Sequence, residues 1–68
     1  RSPREARAWN TRGALRSIMG DHRSSLADFD RAIELDPKLA KAWCNRAVSL
    51  VSLGEVERAA RDLAQRDQ

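Results

Sequence analysis

The chain has 68 residues, 41% hydrophobic and 34% charged, with a formal net charge of +3. That length holds one small domain with a modest core, and the apolar share is too high for a chain that stays disordered. No apolar run is long enough to span a bilayer and no signal-peptide pattern is present, so no membrane partner is expected and a cytoplasmic setting is the default expectation. Cys44 is alone, which rules out an internal disulfide or a cysteine-rich zinc site and reads as a small hydrophobe rather than a reactive thiol.

The first element is expected to start at Pro3. Ser2 can accept from an orphan backbone N–H, Pro3 suits a first turn, and Glu5 can complete a capping box. Trp9, Gly13, Leu15, Ile18 and Met19 then give this helix an apolar face. Gly20-Asp21 supplies a stop and a new cap. A second helix follows over about His22 to Leu35, with Leu26, Phe29, Ala32 and Ile33 on one side. Asp36-Pro37 is expected to end the second helix, and Asp36 to cap a third over about Pro37 to Leu53, because proline disfavours helix at the residue before it and fits a first turn. Its apolar side is Trp43, Ala47, Leu50, Val51 and Leu53. After Gly54-Glu55, the residues Val56, Ala59, Ala60, Leu63 and Ala64 pattern a fourth helix that runs nearly to the end. Nothing reads as strand, so the fold class is all-α.

These helices are two copies of one unit. An offset of 34 residues carries Trp9 onto Trp43 and Pro3 onto Pro37. The same offset carries Ala6 onto Ala40, Ala8 onto Ala42, Arg12 onto Arg46, Gly20 onto Gly54 and Asp28 onto Asp62. Conservative replacements continue the register: Gly13 with Ala47, Asp21 with Glu55, Phe29 with Leu63. A fixed period means that one helical hairpin is copied and stacked, with a first unit over about 3–36 and a second over about 37–68. Small residues stand where the helices of a hairpin should cross, at Gly13 and Ser25 in one copy and at Ala47 and Ala59 in the other. Gly inside a helix costs about 1 kcal/mol relative to Ala, so Gly13 is better explained by packing than by propensity.

With that period and the Trp, small-residue, Gly, Ala, aromatic and Pro slots filled by Trp9, Gly13, Gly20, Phe29, Ala32 and Pro37, the chain resembles the tetratricopeptide repeat family. The second copy fills the slots with Trp43, Ala47, Gly54, Ala59 and Leu63. The resemblance implies two antiparallel hairpins stacked as a fragment of a right-handed α-solenoid, cut from a longer array. Two positions depart from the pattern. Arg16 takes a large apolar slot, where its stem is expected to pack while its guanidinium reaches water. Arg66 takes a small-residue slot, where the last helix is expected to fray or lie open to solvent.

The resemblance also implies a function, that of a protein-interaction scaffold in which the first helices of successive units line a concave groove. By matching slots, that groove draws Arg7, Asn10, Thr11, Ala14 and Ser17 from the first helix. The third helix contributes Lys41, Cys44, Asn45, Val48 and Ser52. Asn and Thr can pair with an extended backbone, and Arg7 with Lys41 favours a protein or peptide partner that is acidic. Some members clamp an acidic C-terminal tail with Lys and Asn. Here only Asn45 fits that pattern, because Asn10 replaces the usual Lys and Ala14 the usual Asn.

Other functions find less support. Residues 1 to 23 hold six Arg against Glu5 and Asp21, but the stripe lacks the density and exposed aromatics of a nucleic-acid surface. His22 is the only histidine, Ser24-Ser25 has no partner base, and no phosphate loop exists, so no enzyme activity, metal or cofactor is expected. Uncapped ends would expose apolar surface and are expected to drive self-association, which leaves a self-assembling spacer as one alternative reading and weak nucleic-acid binding through the Arg-rich first helix as another. Finally, Arg12 and Arg46 each precede an Asp by sixteen residues, Asp28 and Asp62. A forked ion pair is expected, either inside each hairpin or from Asp28 to Arg46 across the unit boundary.

Overall fold

A computed structural model describes residues 3–66. Four helices follow in order, α1 Pro3–Ile18, α2 His22–Leu35, α3 Ala40–Ser52 and α4 Val56–Arg66. No strand occurs among the described residues. Helix α1 packs against α2, α3 against α4, and α2 against α3, with a lighter contact between α1 and α3. Pairings such as Arg12 with Asp28 and Ser17 with His22 make the first hairpin antiparallel. The Ser2 cap expected at the start lies outside the described residues.

Both hairpin turns are made the same way. Gly20 and Gly54 adopt φ of 89° and 86°, a left-handed conformation that glycine enters without steric cost. The N–H of Asp21 reaches the carbonyl of Arg16 and that of Glu55 reaches Leu50, while Gly20 and Gly54 bond to Ser17 and Val51. This paired closure satisfies the last carbonyls of α1 and α3. Asp21 then caps α2, its Oδ1 accepting from the N–H of Ser24 at 3.3 Å.

The link between hairpins departs from expectation. Asp36 closes α2 as expected, its N–H bonded to the carbonyl of Ala32, but it does not cap α3, whose N-cap position is Leu39. Its Oδ1 accepts from Lys38 N at 3.1 Å, and its carbonyl accepts from Leu39. Asp36 thus spends its acceptors on a local turn, and α3 begins at Ala40 rather than Pro37. The Trp43 indole N–H donates to the Pro37 carbonyl at 2.7 Å and ties this turn down onto α3.

The core is built of small residues around two large ones. Ala6, Ala32, Ala42, Ala47 and Ala59 are buried, with Phe29 and Leu50 the large apolar side chains among them. Gly13 explains how α1 and α2 come close. A Cβ there would stand 2.6 Å from Phe29 Cε1 and 2.8 Å from its Cδ1. Polar residues share the interior: Ser25, Asp28, Ser49 and Asp62 are buried. No buried side-chain nitrogen or oxygen among the described residues lacks a hydrogen-bond partner.

The apolar faces assigned from the sequence are only partly buried. Leu15, Ile18, Met19, Val51 and Val56 are exposed, and so are Leu63, Ala60 and Ala64. The buried stripe of α1 runs instead through Ala6, Asn10 and Gly13. Two hairpins give each outer helix one covered side, and residues outside that side stay in solvent whatever their hydropathy. Of the two outcomes expected for Arg66, it lies open to solvent at the end of a regular α4, with its Nη1 3.6 Å from Cys44 Sγ. No helix among the described residues is long and apolar enough to cross a membrane.

Candidate partner-binding face

A polar tie joins helices α1 and α3, the Asn45 Nδ2 donating to Asn10 Oδ1 at 3.0 Å. Asn10 is buried, so its amide serves this contact between units before it serves a ligand. Asn45 is half-buried and keeps its own Oδ1 as an acceptor.

Beside the tie lies an open depression of about 250 Å³ lined by Ala14, Ser17, Ile18, Phe29, Asn45 and Val48. Phe29 is buried at 1% exposure, while Ile18 and Val48 stand out in solvent. Four of the residues expected for the groove, Ala14, Ser17, Asn45 and Val48, therefore share one surface feature. Ile18 and Phe29 were missing from the expected set. Ile18 had a signal in the repeat, because the 34-residue offset carries it onto Ser52, which was included.

The remaining expected residues lie around this feature. Arg7 and Thr11 on α1, with Lys41 and Ser52 on α3, are exposed. Arg7 and Lys41 form no ion pair among the described residues. Cys44 is half-buried at the edge toward α4, beside Arg66. Ser17 Oγ sits 3.3 Å from His22 Nδ1, which fixes the rim where α1 meets α2.

Behind the face, each unit carries the same three-part assembly. Arg12 sends Nε and Nη2 to the two oxygens of Asp28 at 3.0 and 2.8 Å. Arg46 does the same to Asp62 at 2.7 Å for both bonds. Each guanidinium also lies over the indole of its own unit, Arg12 over Trp9 and Arg46 over Trp43, with 4.8 Å to the ring centroid in both cases. Of the two pairings left open by the sequence, the fork inside the hairpin is the one formed. Across the boundary Arg46 takes Asp30 rather than Asp28, through Nη1 at 2.8 Å.

These bonds hold both guanidinium groups charged. Hydrogen bonding to Asp28 raises the Arg12 pKa above its ordinary value. Hydrogen bonding to Asp62, and then Asp30, does the same for Arg46. Arg16 also turns toward Asp28, 3.5 Å from Oδ2, instead of sending its guanidinium only to water as expected. The buried carboxylate of Asp28 draws it in. Two of the six N-terminal arginines are therefore engaged with one aspartate. No cluster of three metal-ligating side chains occurs among the described residues.

Two models of the tetratricopeptide repeat match the chain, one over residues 6–39 and the other over residues 29–61. The Protein FlbA of Caulobacter vibrioides is 39% identical over 61 residues. That match covers 90% of this chain and 10% of FlbA. The chain thus spans about a tenth of the curated relative.

Proposed function

The chain belongs to the tetratricopeptide repeat family, and from that premise we propose that it receives an acidic, aliphatic peptide segment on the face shared by α1 and α3. Repeats of this family generally mediate protein–protein interaction and are generally non-catalytic. The observation that carries the finer reading is the depression between Ala14, Ser17, Asn45 and Val48, with Phe29 and Ile18 completing its lining. Its lining is largely apolar and its volume suits one aliphatic side chain.

Charge sets the direction of the partner. Arg7 precedes Ala14 and Lys41 precedes Val48 by seven residues each, which is about 10 Å along a helix. An extended segment covers that distance in about three residues. A partner with an aliphatic residue and an Asp or Glu three positions away places one in the depression and the other near Arg7 or Lys41. Asn45 Oδ1 accepts a backbone N–H of the segment, while Thr11 and Ser52 lie at the flanks.

Selection of a phage-displayed random peptide library on the chain tests this. Enriched peptides combine an aliphatic residue with a carboxylate at that spacing, Val48→Glu reduces their capture, and Lys41→Glu reduces it further. Enrichment without carboxylates, or capture indifferent to Val48→Glu, would refute it.

A further inference from the structure

The depression on the α1–α3 face borders on a group whose charge changes with pH. Its lining of Ala14, Ser17, Ile18, Phe29, Asn45 and Val48 holds no acid or base of its own. Ser17 Oγ, however, stands 3.3 Å from Nδ1 of His22, the first residue of α2 and the only histidine of the chain. Both residues are half-buried, within reach of solvent protons and of a segment lying on the face.

Proton counting makes Ser17 a switch. A hydroxyl has one proton to give. While the ring is neutral with a bare Nδ1, Ser17 donates that proton to His22 and offers a partner only lone pairs. Once the ring is charged, both of its nitrogens donate, Ser17 accepts from Nδ1, and the hydroxyl proton turns outward. A carboxylate beside Ser17 is opposed in the first state and matched in the second, when a cation also stands behind the hydroxyl. We infer that protonation of His22 opens a carboxylate subsite at Ser17 on the rim of the depression, so that an acidic partner segment binds more tightly as pH falls through the histidine range.

The other charges around the ring are fixed in that range. From α1 comes Arg16, whose Nη1 lies 3.5 Å from Asp28 Oδ2. On the α2 side are Asp21, Arg23 and the buried Asp28, which Arg12 holds. Helix α3 brings Asn45 and Val48 to the depression, and neither is charged. Arginine and aspartate side chains ordinarily keep one charge state between pH 5 and 8, so titration there belongs to His22. The inference rests on the proposed function of this face and specifies the partner further. Ser17 follows Ala14 by three residues, about 4.5 Å along a helix, which an extended segment covers in about two residues. The segment therefore carries a second Asp or Glu about two positions beyond its aliphatic residue, on the side away from the first.

The test titrates the intact ¹⁵N-labelled chain with a library-selected peptide made in two forms, with Glu or with Gln two positions beyond its aliphatic residue on the side away from its first carboxylate. The Glu form is expected to bind about threefold more tightly near pH 5.5 than near pH 8, the Gln form equally at both, and His22→Gln to remove the difference. A Glu-to-Gln affinity ratio that does not change with pH would overturn the inference, as would a pH dependence that survives in a folded His22→Gln chain. In that event shifts at Ala14 and Val48 at both pH values would leave the proposed function standing, whereas a library that yields no binder takes both down. Ring ¹⁵N shifts of the free chain examine the switch without a partner. Neutral His22 is expected to carry its proton on Nε2, with the Ser17 amide following the ring's titration, and a neutral ring protonated on Nδ1 would overturn the inference.

Discussion

Replacing Gly13 by alanine separates two forces that act in opposite directions at one position. Helix propensity favours the change by about 1 kcal/mol in the middle of α1. The new methyl, however, would lie 2.6 Å from Phe29 Cε1, 2.8 Å from Cδ1 and 3.0 Å from Asp28 Cβ. Phe29 is 1% exposed and packed in the core, and Asp28 is held by Arg12. Overpacking of this kind costs about 1–3 kcal/mol, so the net effect is a loss of about 1 kcal/mol. In a domain this small, that lowers Tm by about 4–8 °C. Urea and thermal unfolding followed by circular dichroism at 222 nm measure it. A second variant sharpens the result, because the second unit pairs Ala47 with Leu63 at the matching positions. Gly13→Ala with Phe29→Leu installs that pair and should recover part of what Gly13→Ala loses. A Gly13→Ala chain more stable than the parent would refute the close-approach argument.

Three other outcomes follow from the same contacts. Asp62→Asn breaks a buried fork on Arg46 and should cost about 2 kcal/mol, whereas Asp30→Asn, whose side chain is half exposed, should cost less than about 1 kcal/mol by the same urea measurement. Ser25 gives its one proton to the His22 carbonyl at 2.7 Å, so Ser49 must donate to Ser25 Oγ. Ser25→Ala therefore strands the Ser49 hydroxyl and costs about 1–2 kcal/mol, while the double change to alanine costs less than the sum of the singles. The Asp21 pKa is lowered by its hydrogen bonds to Ser24, with Arg16 and His22 nearby. A depressed carboxylate stabilises the fold above its unfolded pKa, and this contribution disappears as pH falls through the lower folded value. Urea midpoints should drop below about pH 4, and Asp21→Asn should flatten that acid limb.

The period made much of this fold legible. Four helices, the glycine stops at Gly20 and Gly54, and the Arg12–Asp28 and Arg46–Asp62 pairs all follow from a register that repeats. What covers each face was not legible, since Leu15, Ile18 and Met19 are apolar yet stand exposed. The start of α3 was missed because the Asp36 side chain can cap a helix or close its own turn, and only the path between hairpins decides. Arg16 looked solvent-bound because its counterpart Leu50 is apolar; the nearby carboxylate of Asp28 becomes visible only when α1 and α2 are packed. On the candidate face, slot matching found four of the six residues around the depression. Phe29 was assigned wholly to the core, and Ile18 was passed over for its neighbour Ser17.

The most direct test of the account is an amide and methyl chemical-shift map of the chain titrated with a library-selected peptide that has one aliphatic residue and a carboxylate three positions away. The account predicts saturable shifts at Ala14, Ser17, Ile18, Asn45 and Val48, with smaller ones at Arg7 and Lys41. Shifts gathered instead on the solvent sides of α2 and α4, at residues such as Ala27, Arg31 and Arg61, would contradict it.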